Sequence, residues 1–315
     1  MKSIIAYIYQ HASPNKNQKS IYNIIIGKKT HQTFFDATSL NLMSLYGCVP
    51  NLSFDDYENI VTASTNEEIT LPISSTATYF MLQHSFVTLQ LLIQTLSHAQ
   101  HGNMKFAPLT SHTETHQRVR GIYTMIQNQQ LNTHVKQEIF MLFKTLNAEH
   151  SGSIAHYFLT GYDETMYTMK QVGQLHQMDD DQLFITHYID LLTIYQLLSE
   201  KETYPILHQC LATEQLSYTL FRTKSLLLQG LSVSEVAQQT QLTENTIHDH
   251  ILDLFMRHHL TNYHDYLTQD FHSFLAFYAQ QPFQKLRFYK AHFEYLSYFE
   301  IKLAIIGFAK GVLHA

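Results

Sequence analysis

Charge is scarce in this chain. Only 15% of its 315 residues are Asp, Glu, Lys or Arg, and polarity comes instead from His, Gln, Asn, Thr and Tyr. With 45% hydrophobic residues there is ample material for packed cores, which argues against disorder on a large scale. Cysteine is scarcer still: Cys48 and Cys210 lie far apart and belong to no CxxC pair. Two reduced thiols in a cytosol are expected, not a disulfide framework. Long hydrophobic runs are also missing. The best candidate, Thr78 to Leu96, is interrupted by Gln83, His84, Gln90 and Gln94 and reads as a buried helix, since a membrane span needs about 20 mainly apolar residues. The N-terminal MKSIIAYIYQHASP has too short an apolar run for a signal peptide.

Catalytic signatures are lacking too. There is no GxSxG elbow and no GxxxxGK[ST] loop, because GKKT at 27–30 lacks the leading glycine and a preceding buried strand. Among twenty-one histidines the sharpest metal candidate is HTETH, His112 to His116, but a zincin needs Glu directly after the first His and Thr113 stands there. No enzyme, no metal and no cofactor are expected. Asp179, Asp180 and Asp181 precede a long apolar-periodic stretch and suit the start of a helix.

What remains is organisation and one motif. A net charge of -6 is unevenly spread, with residues 1–50 at +4, 51–216 at -10 and 285–315 at +3. At this length two or three domains are expected. Residues 3–12, 18–28 and 31–46 read as successive helices, and a fourth begins near Ser53. The segment TNEEITLPIS, 65–74, reads as a short strand. Helices plus a strand fit a winged-helix-like N-terminal subdomain over 1–75; a plain helical subdomain with a loop fits as well. Residues 76–212 read as a central helical domain, ended by the linker SEKETYP at 199–205, and 213–315 as a C-terminal domain of five or six helices. The class is all-α, with one small strand element left open.

The motif is Ser217 to Met256. Gly230 and Leu231 close a first helix, and Ser232 stands three residues before Glu235 at the capping-box spacing, which predicts a helix over 233–240. Gln241 and Leu242 make a turn, Thr243 caps a third helix, and Ile247, Ile251 and Leu254 recur at helical spacing. This is the layout of a DNA-binding helix-turn-helix whose third helix would enter the major groove. With the isoleucines inward, Glu244, Asn245, His248 and Asp249 face outward. Asn245 and His248 offer hydrogen bonds to bases, and Thr243 and Thr246 reach toward phosphates. Glu244 and Asp249 oppose this, since affinity for a duplex comes largely from Lys and Arg, and the helix has none before Arg257. Two other sources of positive charge are Arg222 with Lys224, and Lys285, Arg287 and Lys290, which alternate with Phe288, Tyr289 and Phe293 in a pattern suited to single strands. A core role for those aromatics, with the basic residues solvated, fits the pattern too.

Leu226 to Ile251, centred on GLSVSEVAQQTQLTENTIHDHI, resembles the helicase-type helix-turn-helix module at the C-terminus of some bacterial RecQ helicases and in the YpbB family of low-GC Gram-positive bacteria. KLRFYKAHFEYLSYFEIKLAI resembles the end of that module, and SIYNIIIGKKTHQTFFDA resembles the amino-terminal pattern of the YpbB family. The helix-turn-helix also resembles that of LuxR-type regulators. The resemblance to the YpbB family implies a non-enzymatic accessory of a RecQ-type helicase; the thiols place it in the cytoplasm, and the acidic outward face of the third helix predicts that its own DNA binding is weak. The runners-up are a sequence-specific transcription regulator and a helix-turn-helix used purely for protein docking.

Overall fold

Helices punctuated by side-chain caps build the whole chain. The computed structural model describes every residue except 64–69, 75–76 and 215, and among the described residues it holds fifteen α-helices, four 3-10 turns and no strand. In chain order come α1 (Lys2–Ala12), α2 (Gln18–Ile25), α3 (His31–Ser39) and α4 (Phe54–Ala63). Then follow α5 (Tyr79–Gln100), α6 (Thr113–Asn128), α7 (Asn132–Glu149), α8 (Met169–His176) and α9 (Asp180–Ser199). The remaining six are α10 (Tyr218–Leu228), α11 (Val233–Thr240), α12 (Glu244–Met256), α13 (His272–Gln280), α14 (Leu286–His292) and α15 (Tyr298–Ala309). The all-α class is thus the observed one. No helix among the described residues is long and apolar enough to cross a membrane.

The chain divides into two compact units, one of Met1–Ile5 with Tyr79–Thr213 and one of Ala6–Thr78 with Glu214–Ala315. The sequence suggests breaks at 75/76 and 212/213; the contacts break at 78/79 and 213/214, and the two outer segments fall in one unit.

In the first unit, α5 packs on α6 and α9. Leu82, Phe86, Leu89 and Leu92 are buried, and the polar residues that interrupt this run are satisfied: Gln90 Nε2 donates to the Phe158 carbonyl, and Gln94 clasps the following loop through Ala107 O (3.1 Å) and Leu109 N–H (3.1 Å). A buried amide side chain costs little when both its ends find partners. Of the three aspartates, Asp179 is the N-cap of α9 in a capping box with Gln182, while Asp181 accepts from the chain's amino group and from Ser3. Two carboxylates are buried for a reason. Asp190 receives the Ile154 N–H (2.8 Å) and pairs with His150 Nδ1 (2.7 Å), and Glu138 accepts from the Ile206 and Leu207 N–H groups.

In the second unit, α2 leads into α3 through a turn at Gly27, φ +66°, where a Cβ would lie 2.8 Å from the Gly47 Cα. That contact gives GKKT a turn-making role: the glycine lets two backbone segments touch. Helix α3 ends at Ser39, seven residues short of expectation, because Asn41 takes a left-handed conformation (φ +57°) and the Leu42 N–H returns to Ala37 O at 2.8 Å. The strand expected over 65–74 lies partly outside the described residues. From 70 to 74 the backbone is irregular, tied at Ser74 to Ser44 by hydrogen bonds of 3.0 and 3.2 Å, so among the described residues no β-wing accompanies these helices.

Candidate helix-turn-helix site

Helices α10, α11 and α12 form the trihelical module, and local chemistry sets each boundary. Ser217 caps α10, and Gly230 (φ +86°) ends its last turn. Ser232 and Glu235 form the reciprocal capping box, whose hydrogen bonds hold the Glu235 carboxyl below its ordinary pKa. Gln241, φ +58°, turns the chain, and the Thr243 side chain accepts from the Thr246 N–H to start α12. Leu220, Val236, Ile247, Ile251 and Leu254 close the core, with Thr223 Oγ1 on His250 Nδ1 at 2.8 Å.

The side of α12 expected to face DNA is largely occupied. Its neighbours are α10 and α11 and, beyond the motif, α3 and α15. His248 stacks on Phe299 with ring centroids 4.4 Å apart, and burial there lowers its pKa against the pull of Glu244 and Asp249. Asp249 faces His31 Nε2 (3.2 Å) and Lys302 Nζ (3.7 Å), while one turn on Asp253 receives His31 Nδ1 at 2.8 Å. Through these contacts with two aspartates one turn apart, His31 ties α3 to α12. Arg257 lies 4.2 Å over the Phe34 ring and pairs with Glu214; it is an internal clamp, not a phosphate contact. His248 and Arg257 thus pack on neighbouring rings, whereas Asp249 keeps 48% of its side chain exposed beside His31 and Lys302. Thr243 and Thr246 bond each other at 2.9 Å, and Thr243, Glu244 and Asn245 are exposed at the start of the helix.

The other basic residues divide similarly. Arg222 is exposed but gives one N–H to Gln239 O (2.9 Å), and Lys224 contacts His259 Nδ1 at 3.2 Å. Lys290 Nζ donates to the Glu294 and Leu296 carbonyls. Of the aromatics beside it, Tyr289 is fully buried, and Phe293 is half-buried and packs edge-on against Phe274. Lys285 and Arg287 remain exposed, and neither makes an ion pair among the described residues.

Sequence reasoning missed two features. Nothing in the sequence marks His31 and Lys302 as partners of a helix more than two hundred residues, or nearly fifty, away. The second was legible in principle: Tyr218, Phe221 and Leu228, at 77%, 58% and 68% exposure, share one stripe of α10 with Arg222 at its edge. HTETH does not assemble a site. His112 precedes α6 as its N-cap, His116 Nε2 reaches Thr110 O, and no group of His, Cys, Asp or Glu among the described residues could hold a metal.

Comparison with known proteins matches these features to a family described as "Helix-turn-helix domain", over residues 219–305. The chain is also 20% identical over 328 aligned positions, 92% of each sequence, to Protein YpbB of Bacillus subtilis (strain 168). No solved structure matches it.

Proposed function

We propose that this chain is a non-enzymatic cytoplasmic adaptor that serves a RecQ-type DNA helicase in unwinding or repair, docking on the helicase and touching DNA only weakly through its helix-turn-helix. The observation that carries the reading is the occupied face of α12. A recognition helix works by presenting three or four side chains to base edges in the major groove, and here His248 and Asp249 are spent on α15 and α3. Glu244 would meet phosphates with the wrong sign. Of the basic residues outside α12 that could supply charge, Arg222, Lys285 and Arg287 are exposed, and none belongs to the helix that would enter the groove. The exposed stripe of Tyr218, Phe221 and Leu228 is instead suited to a protein partner, since aromatic anchors beside an Arg dominate such interfaces. The similarity to Protein YpbB runs along nearly the whole chain, beyond the helix-turn-helix itself.

The test is a pull-down with the cognate helicase, joined to an unwinding assay and to DNA binding across salt. Parent protein should bind the helicase, and Phe221→Asp should abolish binding without moving the melting curve. Duplex affinity should fall with salt with a slope no steeper than about -3, as for three phosphates or fewer. Asn245→Ala should leave sequence preference unchanged. No helicase binding and no change in unwinding would sink the proposal. Tight duplex binding that Asn245→Ala relaxes at one base position would replace it with a transcription regulator.

A further inference from the structure

A cavity of about 240 Å³ opens in the second unit where the turn between α1 and α2 and one end of α3 meet the α13–α14 connection and α15. Its floor is aromatic and dry: Phe35 and Tyr278 are each 3% exposed and Tyr289 is fully buried. Its rim is polar, with Lys16, Gln284 and Lys285 at the mouth. The two lysines differ. Lys16 Nζ is held by the buried Asp36 carboxylate at 2.5 Å, which cancels its charge, whereas Lys285 is exposed and makes no ion pair among the described residues. The cavity is therefore a slot with an aromatic floor, with Asn15, Gln32 and Ser39 also in its lining and one uncompensated positive charge at its entrance. Its volume is below the roughly 300–1,000 Å³ of sites for drug-sized molecules, so it admits a single ring system, not an extended dinucleotide.

The wall is also strained. Six non-glycine residues among those described have positive φ, and five are Asn, Gln or His. The sixth is Phe283, φ +63°, a bulky residue for which that conformation is costly. Two neighbours hold it: Tyr278 meets its ring edge-on, and the Tyr289 hydroxyl donates to Gln281 O (2.7 Å) and accepts from the Gln284 N–H (2.9 Å). The Tyr289 hydroxyl on the cavity floor thus holds the turn that brings Phe283, Gln284 and Lys285 to the opening. Strain maintained by surrounding hydrogen bonds is characteristic of ligand clamps.

We propose that this cavity binds one unpaired nucleotide, its base against the aromatic floor and its phosphate at Lys285. Every base offers a π-face for such a floor, and a phosphate supplies the negative charge the mouth lacks. The inference rests on the reading of the protein as a DNA-associated factor, and it locates DNA contact away from α12.

The probe is 2-aminopurine riboside 5′-monophosphate, whose fluorescence is quenched by stacking, titrated into the full chain alongside the phosphate-free nucleoside. Single-stranded oligonucleotides carrying 2-aminopurine at an end or in the middle form a second arm. The parent should quench the monophosphate, and Lys285→Glu should weaken its binding about tenfold, the worth of one charge-assisted hydrogen bond, while leaving the nucleoside nearly unchanged. Since Lys285 is exposed, this variant should melt like the parent. Quenching of the end-labelled oligonucleotide identifies a strand terminus as the source, and quenching of the monophosphate alone identifies a free nucleotide; both support the site. No quenching of any probe at millimolar protein, or equal quenching by parent and Lys285→Glu, overturns it. Helicase pull-down with Lys285→Glu separates the two proposals. Retained pull-down with no nucleotide binding in either protein refutes the cavity and leaves the adaptor standing.

Discussion

Arg257 offers the sharpest check on whether α12 is a packed helix or a DNA reader. Its guanidinium lies over Phe34 and against Glu214, with side-chain exposures of 22% and 18% for the two charged partners. Truncation to Ala removes a largely desolvated cation–π contact, about 1–2 kcal/mol. It also strands Glu214 without its counter-charge. A fully buried orphan costs about 3–5 kcal/mol, and residual solvent access reduces that here to roughly 1–2 kcal/mol. Arg257→Ala should therefore destabilise the second unit by about 3 kcal/mol, a fall in Tm of roughly 6–12 °C for a unit of this size. Arg257→Lys keeps the charge and loses the planar stack, and should cost about 1 kcal/mol. Urea and thermal unfolding give these values, and a parallel salt titration of duplex binding gives the discriminating one. A phosphate-contacting arginine would change the salt slope by about 0.9 on removal. An internal clamp changes it by nothing. An unmoved melting curve with weaker, flatter DNA binding would refute the packing argument.

Three further outcomes follow from the same structure. Asp190→Ala in the first unit leaves the Ile154 N–H and His150 without their acceptor and should cost about 3 kcal/mol in urea unfolding; a loss below about 0.5 kcal/mol would mean the pair is not formed. Gly27→Ala places a Cβ at 2.8 Å from Gly47 with φ at +66°, and should lower stability by about 2 kcal/mol, read as a shifted urea midpoint at unchanged slope; no shift would show that the two glycines do not touch. Burial pushes Lys310 down to about 7 and, with the charge of Lys310 adding to it, His258 down to about 4. Both are less basic folded than unfolded, so unfolding takes up protons and stability rises with pH, from about 4 to 6.5 for His258 and above about 7 for Lys310. Lys310→Met should flatten the rise between pH 7 and 8.5, and an unchanged slope would contradict the assignment.

The helices that the sequence announces clearly are those whose ends carry side-chain caps. Ser232 with Glu235, Ser297 with Glu300 and Thr243 each bond within three residues, so the whole signal lies in one short window. The isoleucines of α12 likewise report their inward face by spacing alone. The outward face is different in kind. A glutamate left in water and an aspartate paired with a histidine from the other end of the chain look the same in a sequence, and only long-range packing separates Glu244 from Asp249. Asn41 shortened α3 through a left-handed turn, an option that Asn takes only in some contexts. The cavity was half visible. The alternation of Lys285, Arg287 and Lys290 with aromatics was on the page, but which lysine is free depends on carbonyls and a carboxylate that folding brings together.

The joining of residues 6–78 with 214–315 also sets a schedule for synthesis. At about 5–20 residues per second, a ribosome needs roughly 7–27 s to make the 79–213 segment, and throughout that interval α3 has no α12 or α15 to cover its apolar side. The five-helix stretch α5 to α9 can meanwhile collapse, since most of its contacts are already in hand. The early helices must wait, in the company of chaperones or as a loose cluster, until their partners emerge. A fragment ending near residue 213 is accordingly expected to yield one orderly half and one sticky one, and separate expression of the helix-turn-helix would strip α12 of the phenylalanine and histidine that hold it.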